Sequence, residues 1–248
     1  MDEPQIRIFM GYVHIEDNRQ RRDWCEKEAI NAQDGKPWLG SPASRCGAVA
    51  PDSAGGKSVN IAIVGWGSLI WCPGSIRLVS RWHKTGPELP IEFSRVSRDG
   101  RLTLVITPDV ATVPTLWALS ACDELDRSAD NLCEREGTSN GNIGRVSLVD
   151  PDGGDAITQV IHDWLLGQSL DGAVWTALPP KRTDGSEKPM NDRDAVHYIR
   201  SLSGDVLRRA EEYVRNTPEQ IDTPIRRRLR DEFGWVNRPL SGNLFEEG

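Results

Sequence analysis

Two short stretches carry residue types that can do chemistry together. The first is Gly65-Trp66-Gly67-Ser68-Leu69, which ends the apolar run beginning at Ile61. Its two glycines let successive amides turn away from a strand, and amide N–H groups in such a turn form a concave site for a carboxylate or another anion. The second is Leu132-Cys133-Glu134-Arg135-Glu136-Gly137. Here a carboxylate falls in the last turn of a helical pattern, where the dipole favours Lys or Arg, a mismatch of about 0.3 to 1 kcal/mol. Glu136 is therefore either a surface charge paired with Arg135 or a neighbour, or a carboxyl held at a pocket for general acid/base work.

Other chemistry-bearing patterns fail on spacing. Gly55-Gly56-Lys57-Ser58 suggests a phosphate-binding loop, but the first glycine of that motif would fall at Pro51, and the segment precedes a strand rather than following one. Gly65 and Gly67 lack the third glycine of a dinucleotide fingerprint, since position 70 is Ile70, and Ser68 lacks the flanking glycines of a nucleophile elbow. His14, His83, His162 and His197 show no metal-ligand spacing. Cys72 and His83 are a conceivable thiol and base, although nothing in their spacing brings them together. The basic run Arg226 to Arg230 is followed at once by Asp231 and Glu232, and reads as a solvated helix face.

Those two stretches need a scaffold, and 248 residues are enough to bury a core without metal or disulfide staples. With 30 Lys plus Arg against 37 Asp plus Glu, the net charge of -7 offers no general basic face for nucleic acid or an anionic membrane. Five cysteines, Cys25, Cys46, Cys72, Cys122 and Cys133, form no close pair and fit reduced thiols. The acidic first residues lead into no apolar signal segment, and no run of 18 apolar residues occurs, so a soluble, cytoplasmic protein is expected.

Residues 1–57 read as an extension and linker: a short strand around Ile6, Ile8 and Met10, a polar helix from Asp17 to Ala32, then a Gly-, Pro- and Ser-rich stretch. Residues 58–248 form the main domain. Strands are expected at Val59 to Val64, Ile91 to Val96, Leu102 to Ile106, Ile143 to Val149 and Asp171 to Leu178, with a turn at Arg98-Asp99-Gly100 making a hairpin. Ser120 and Asp123 read as a capping box. Beyond them Leu125, Ala129, Leu132 and Cys133 share one helical face, and the helix is expected to stop at Gly137. The apolar stripe Ala195, Ile199, Leu202, Val206, Ala210 and Val214 predicts one long helix from Asp192 to Arg215, followed by another within Pro218 to Phe233. Strands first and helices mostly later give an α+β fold class.

Taken in order, the strand ending in Gly65-Trp66-Gly67-Ser68-Leu69-Ile70-Trp71, the segment Asn131 to Gly137 and the strand Ala173 to Ala177 resemble the γ-glutamylcyclotransferase family. Its branches include ChaC-like glutathione-degrading enzymes and γ-glutamylamine cyclotransferases. The likeness spans roughly residues 59 to 235, and the first two motifs carry it. It implies a small mixed β-barrel flanked by helices. It also implies that Gly65, Trp66, Gly67, Ser68 and Leu69 bind the α-carboxylate end of a γ-glutamyl substrate and that Glu136 is the catalytic acid/base, with no cofactor and no metal. Trp66 stands where the family usually has Tyr, and residues 1–57 have no matching part. The implied products are 5-oxoproline and a free amine or amino acid. The alternatives are a non-catalytic ligand-binding or interaction module on the same fold, and an enzyme that removes a γ-glutamyl group from a secondary metabolite.

Overall fold

The structure is a computed structural model that describes residues 59–149, 154–240 and 242–246. The strand and helix expected within residues 1–57, like Cys25, Cys46 and the Gly55 to Ser58 segment, lie outside the described residues.

The centre of the fold is β1 (Ile61–Gly65), all five residues of which are buried. Such a strand must be covered on both faces and paired on both edges, which is why its sequence is continuously apolar and not alternating. It lies in a four-stranded sheet of order β6-β1-β8-β7, between β6 (Leu116–Leu119) and β8 (Gly172–Thr176), with β7 (Ile143–Ser147) outside β8. The β1–β8 pairing is parallel and brings Val64 opposite Trp175, whereas β1–β6 and β7–β8 are antiparallel. Gly144 in β7 is forced by its partner strand, because a Cβ there would lie 2.1 Å from the Trp175 ring.

Two smaller ladders complete the β structure. β3 (Ile91–Val96) and β4 (Leu102–Ile106) form the expected hairpin, and β2 (Glu88–Leu89) pairs with β5 (Val113–Pro114). The hairpin turn closes by hydrogen bonds from Gly100 N to the Ser97 carbonyl and from Ser97 N to the Arg101 carbonyl. Gly100 has φ 81°, a conformation glycine adopts without strain. The architecture is α+β as expected. The barrel is not what the strands form, since among the described residues the ladders stay separate and none closes on itself.

The described residues hold five α-helices: α1 (Leu125–Glu136), α2 (Ala156–Leu166), α3 (Asp192–Ser201), α4 (Gly204–Asn216) and α5 (Pro224–Phe233). α1 ends as its sequence requires, with Gly137 in the left-handed region at φ 57° and its amide returning to the Cys133 and Glu134 carbonyls. Its start differs from the capping-box expectation. Glu124 is the N-cap residue and makes no side-chain cap bond, while Ser120 Oγ pairs with Ser128 Oγ at 2.7 Å and accepts from Cys122 N at 3.0 Å.

The expected single helix from Asp192 to Arg215 is two, because the chain leaves helical conformation at Leu202 and Ser203 and Gly204 takes φ 54°. The apolar stripe continues across the break since both helices bury Ile199, Ala210 and Val214 in the same core. In the basic run of α5, Arg227 and Arg228 are exposed, but Arg226 is buried at 3 % exposure. No helix of the described residues is long and apolar enough to cross a membrane.

Candidate functional site

The β1 strand delivers its C-terminal end into a cleft of about 370 Å³, whose walls are the Gly65 to Leu69 turn, the β3–β4 hairpin, the end of α1 and Tyr213 of α4. A volume of that size lies within the range of small-molecule sites, about 300 to 1,000 Å³. All five residues expected at the cradle, Gly65, Trp66, Gly67, Ser68 and Leu69, line it together with Glu136. Residues 67 positions apart in sequence, Ser68 and Arg135, are in contact there.

The turn itself is held by Ile70 N donating to the Gly67 carbonyl at 3.0 Å and Cys72 N donating to the Ser68 carbonyl at 2.7 Å. The Gly67 and Leu69 amides donate to no described residue. Gly67 has no room for a side chain: a Cβ would lie 2.4 Å from the Tyr213 hydroxyl. Gly65 is also confined, with a Cβ meeting the Trp82 ring at 3.0 Å.

Trp66 is a buried wall residue whose indole N–H donates to the Leu104 carbonyl at 3.4 Å. Leu104 N donates in turn to the Tyr213 hydroxyl at 3.4 Å. One residue of β4 thus fixes both aromatic side chains around the glycine turn. Tyr213 packs edge-on against Trp71 at 5.3 Å and Phe93 at 6.1 Å, and the Arg101 guanidinium lies 5.7 Å from its ring centroid.

Glu136 is not a free surface charge. Its side chain is 16 % exposed and that of Arg135 8 % exposed, and Arg135 Nη1 lies 2.7 Å from Glu136 Oε1. Arg135 Nη2 donates to the Cys72 carbonyl at 2.6 Å and to Ser68 Oγ at 3.2 Å. The guanidinium therefore spans from the cradle to the carboxylate. Oε2 of Glu136 accepts from no described residue. Pairing with Arg135 was one of the two readings of Glu136, yet the pair is formed in the cleft and not on an open surface.

The sequence shows Arg135 as a partner for Glu136 but not its bridge to the glycine turn, and it does not single out Tyr213 or the arginines of the hairpin. Arg135 was visible beside Glu136, and its role as a bridge depends on a turn far away in sequence. Asp99, also in the cleft wall, lies 2.7 Å from Arg101 Nε and 3.5 Å from Arg209 Nε. Burial acts to raise its carboxyl, but Arg101, the Ser97 hydroxyl and Arg209 outweigh that and hold it below the ordinary value.

The cysteines depart from the all-reduced expectation: Cys122 and Cys133 are free thiols, whereas Cys72 is disulfide-bonded. The conceivable Cys72–His83 nucleophile pair is thereby removed, and His83 is stacked on Trp117 with centroids 4.1 Å apart. Among the described residues no group of three His, Cys, Asp or Glu side chains is arranged to hold a metal ion. No protein-family model, no curated protein and no solved structure matches this chain.

Proposed function

We propose that the cleft is the active site of a γ-glutamylcyclotransferase-like enzyme, on a fold related to that family, which releases 5-oxoproline from a γ-glutamyl substrate. The observation that carries this reading is the Arg135 bridge, which puts a carboxylate and an anion-binding turn in one small cleft. The sequence resemblance supports it at the same residues.

The substrate supplies its own nucleophile. Its α-amine attacks its γ-carbonyl, the new C–N bond closes a five-membered lactam, and the bond to the leaving nitrogen breaks. The amine is mostly protonated at neutral pH, so a base must take a proton first, and the same acid then protonates the leaving nitrogen. Glu136 does both. The Gly67 and Leu69 amides hold the α-carboxylate, which bends the γ-glutamyl chain toward its attack geometry, and well-oriented intramolecular reactions reach effective molarities of about 10⁵ M or more. Tyr213, whose hydroxyl sits against Gly67, is the donor placed to meet charge developing on the γ-carbonyl oxygen.

A binding-only role for the same cleft is favoured by one observation, that Glu136 Oε1 is ion-paired with Arg135, which opposes its acting as a base. The experiment that separates the two is mass-spectrometric assay of 5-oxoproline release from glutathione, γ-glutamyl dipeptides and γ-glutamylamines. Release from at least one class supports the enzyme. No release, with saturable binding of a γ-glutamyl ligand, identifies the binding module.

A further inference from the structure

The cleft holds more positive charge than the proposed chemistry uses. Arg95, Arg98, Arg101 and Arg135 line it against Asp99, Glu134 and Glu136, an excess of cations in a chain whose net charge is -7. Arg135 is paired with Glu136 and Arg101 with Asp99, each at 2.7 Å.

Arg95 is different. It lies in β3 just after a register shift between Phe93 and Arg95, the kind of bulge that re-aims a side chain. Its Nη1 donates to the Pro179 carbonyl at 2.7 Å, and among the described residues it forms no ion pair. Burial lowers its pKa below the ordinary arginine value, with the charge of Glu187 acting the other way. A half-buried guanidinium held by a neutral carbonyl in a ligand-sized cleft keeps donors in a fork that matches a carboxylate. Arg98, exposed at the hairpin turn, adds positive charge to the same wall.

We infer that Arg95 determines specificity by binding a carboxylate on the leaving group, so that the preferred substrates are γ-glutamyl amino acids or peptides and not γ-glutamyl alkylamines. This rests on the γ-glutamyl reading of the site. There the substrate's α-carboxylate already occupies the glycine turn, and a second anion-binding group on another wall calls for a second anion on the substrate.

The test compares γ-glutamyl-alanine with γ-glutamyl-alaninamide, which differ only in that carboxylate. The full-length wild type is expected to show a KM for the acid about tenfold or more below that for the amide, the scale of one charge-assisted hydrogen-bonded contact. The acid's KM should rise more steeply with added salt than the amide's, a readout that needs no variant. Arg95→Met is expected to lose the preference, the acid's KM rising to that of the amide. Because Arg95 also holds Pro179, folding of the variant is checked by circular dichroism. Equal KM values for acid and amide in the wild type overturn the inference and leave the γ-glutamyl reading standing. A variant that retains the preference, or raises KM equally for both compounds, overturns the role of Arg95. Absence of 5-oxoproline from both compounds with the wild type overturns the underlying reading and the inference with it.

Discussion

Arg135 ties Glu136 to the turn after β1, with one guanidinium nitrogen 2.7 Å from Glu136 Oε1 and the other 2.6 Å from the Cys72 carbonyl oxygen. A helix end and a strand end are thereby locked at a fixed separation. The planar fork is what makes this possible, and a lysine ammonium has no second nitrogen to span the gap. Arg135→Lys is expected to retain the fold and to lose about 100-fold in kcat, the cost of a carboxylate displaced by about 1 Å. Steady-state kinetics of 5-oxoproline release check this, and a kcat within twofold of wild type would show that Arg135 does not position Glu136.

Gly67 and Tyr213 compete for the same space. Gly67→Ala places a methyl 2.4 Å from the Tyr213 hydroxyl but 3.5 Å from the ring carbon that bears it. The single substitution should cost about 1 to 3 kcal/mol by overpacking. Removing only the hydroxyl, in Gly67→Ala with Tyr213→Phe, should recover much of that loss. Urea unfolding of the four members of the double-mutant cycle measures the coupling, and strict additivity would contradict the contact.

Asp99 makes stability depend on pH in a defined direction. Its folded-state carboxyl lies below the ordinary value of 3.8, because Arg101, Ser97 and Arg209 outweigh the effect of burial. A carboxyl with a depressed folded-state pKa binds fewer protons folded than unfolded, so its stabilisation is full above the unfolded value and is lost as pH falls through the folded one. Asp99→Asn should therefore show a shallower fall in Tm below pH 4 than wild type. Parallel curves from differential scanning calorimetry would remove Asp99 from that role.

Arg226 is a structural cation hidden in an apparently surface-exposed run. Nη1 donates to the Pro218 and Ile221 carbonyls at 2.5 Å and 2.8 Å, and Nη2 donates to the Thr217 carbonyl and to Asn237 Oδ1. Burial lowers its pKa to about 10, so it stays charged at neutral pH. Arg226→Met orphans those acceptors and should cost about 3 to 5 kcal/mol. Arg228→Met, on the exposed face, should change stability by less than about 0.5 kcal/mol. Chemical denaturation of the two variants side by side gives the contrast, and equal losses would contradict it.

The local devices were legible. Ile91 to Val96 and Leu102 to Ile106 coincide with β3 and β4, and the left-handed Gly137 ends α1 where the apolar face runs out. The helix α2 also has a readable signal, since Asp155 caps it and Ile157, Ile161, Trp164 and Leu165 share one face. The break at Leu202 and Ser203 was hidden by a stripe that both flanking helices bury in one core. Arg226 could not be separated from Arg227 and Arg228 by sequence, because its acceptors are carbonyls that the α4–α5 connection folds back. Likewise the aromatic wall of the site depends on Leu104 meeting Tyr213, 109 residues away. Gly65 to Leu69 and Glu136 were legible as candidates because each lies in a short motif, and the fold brings both to one cleft.

The proposed role of Glu136 is proton transfer in an intramolecular γ-glutamyl cyclisation. It is tested most directly by measuring 5-oxoproline release and ligand affinity of Glu136→Gln in parallel. The substitution keeps the shape and one acceptor oxygen for Arg135 while removing the base, so turnover should fall by about 10² to 10⁴ with binding of a γ-glutamyl ligand retained. Release of 5-oxoproline at the wild-type rate would contradict the account.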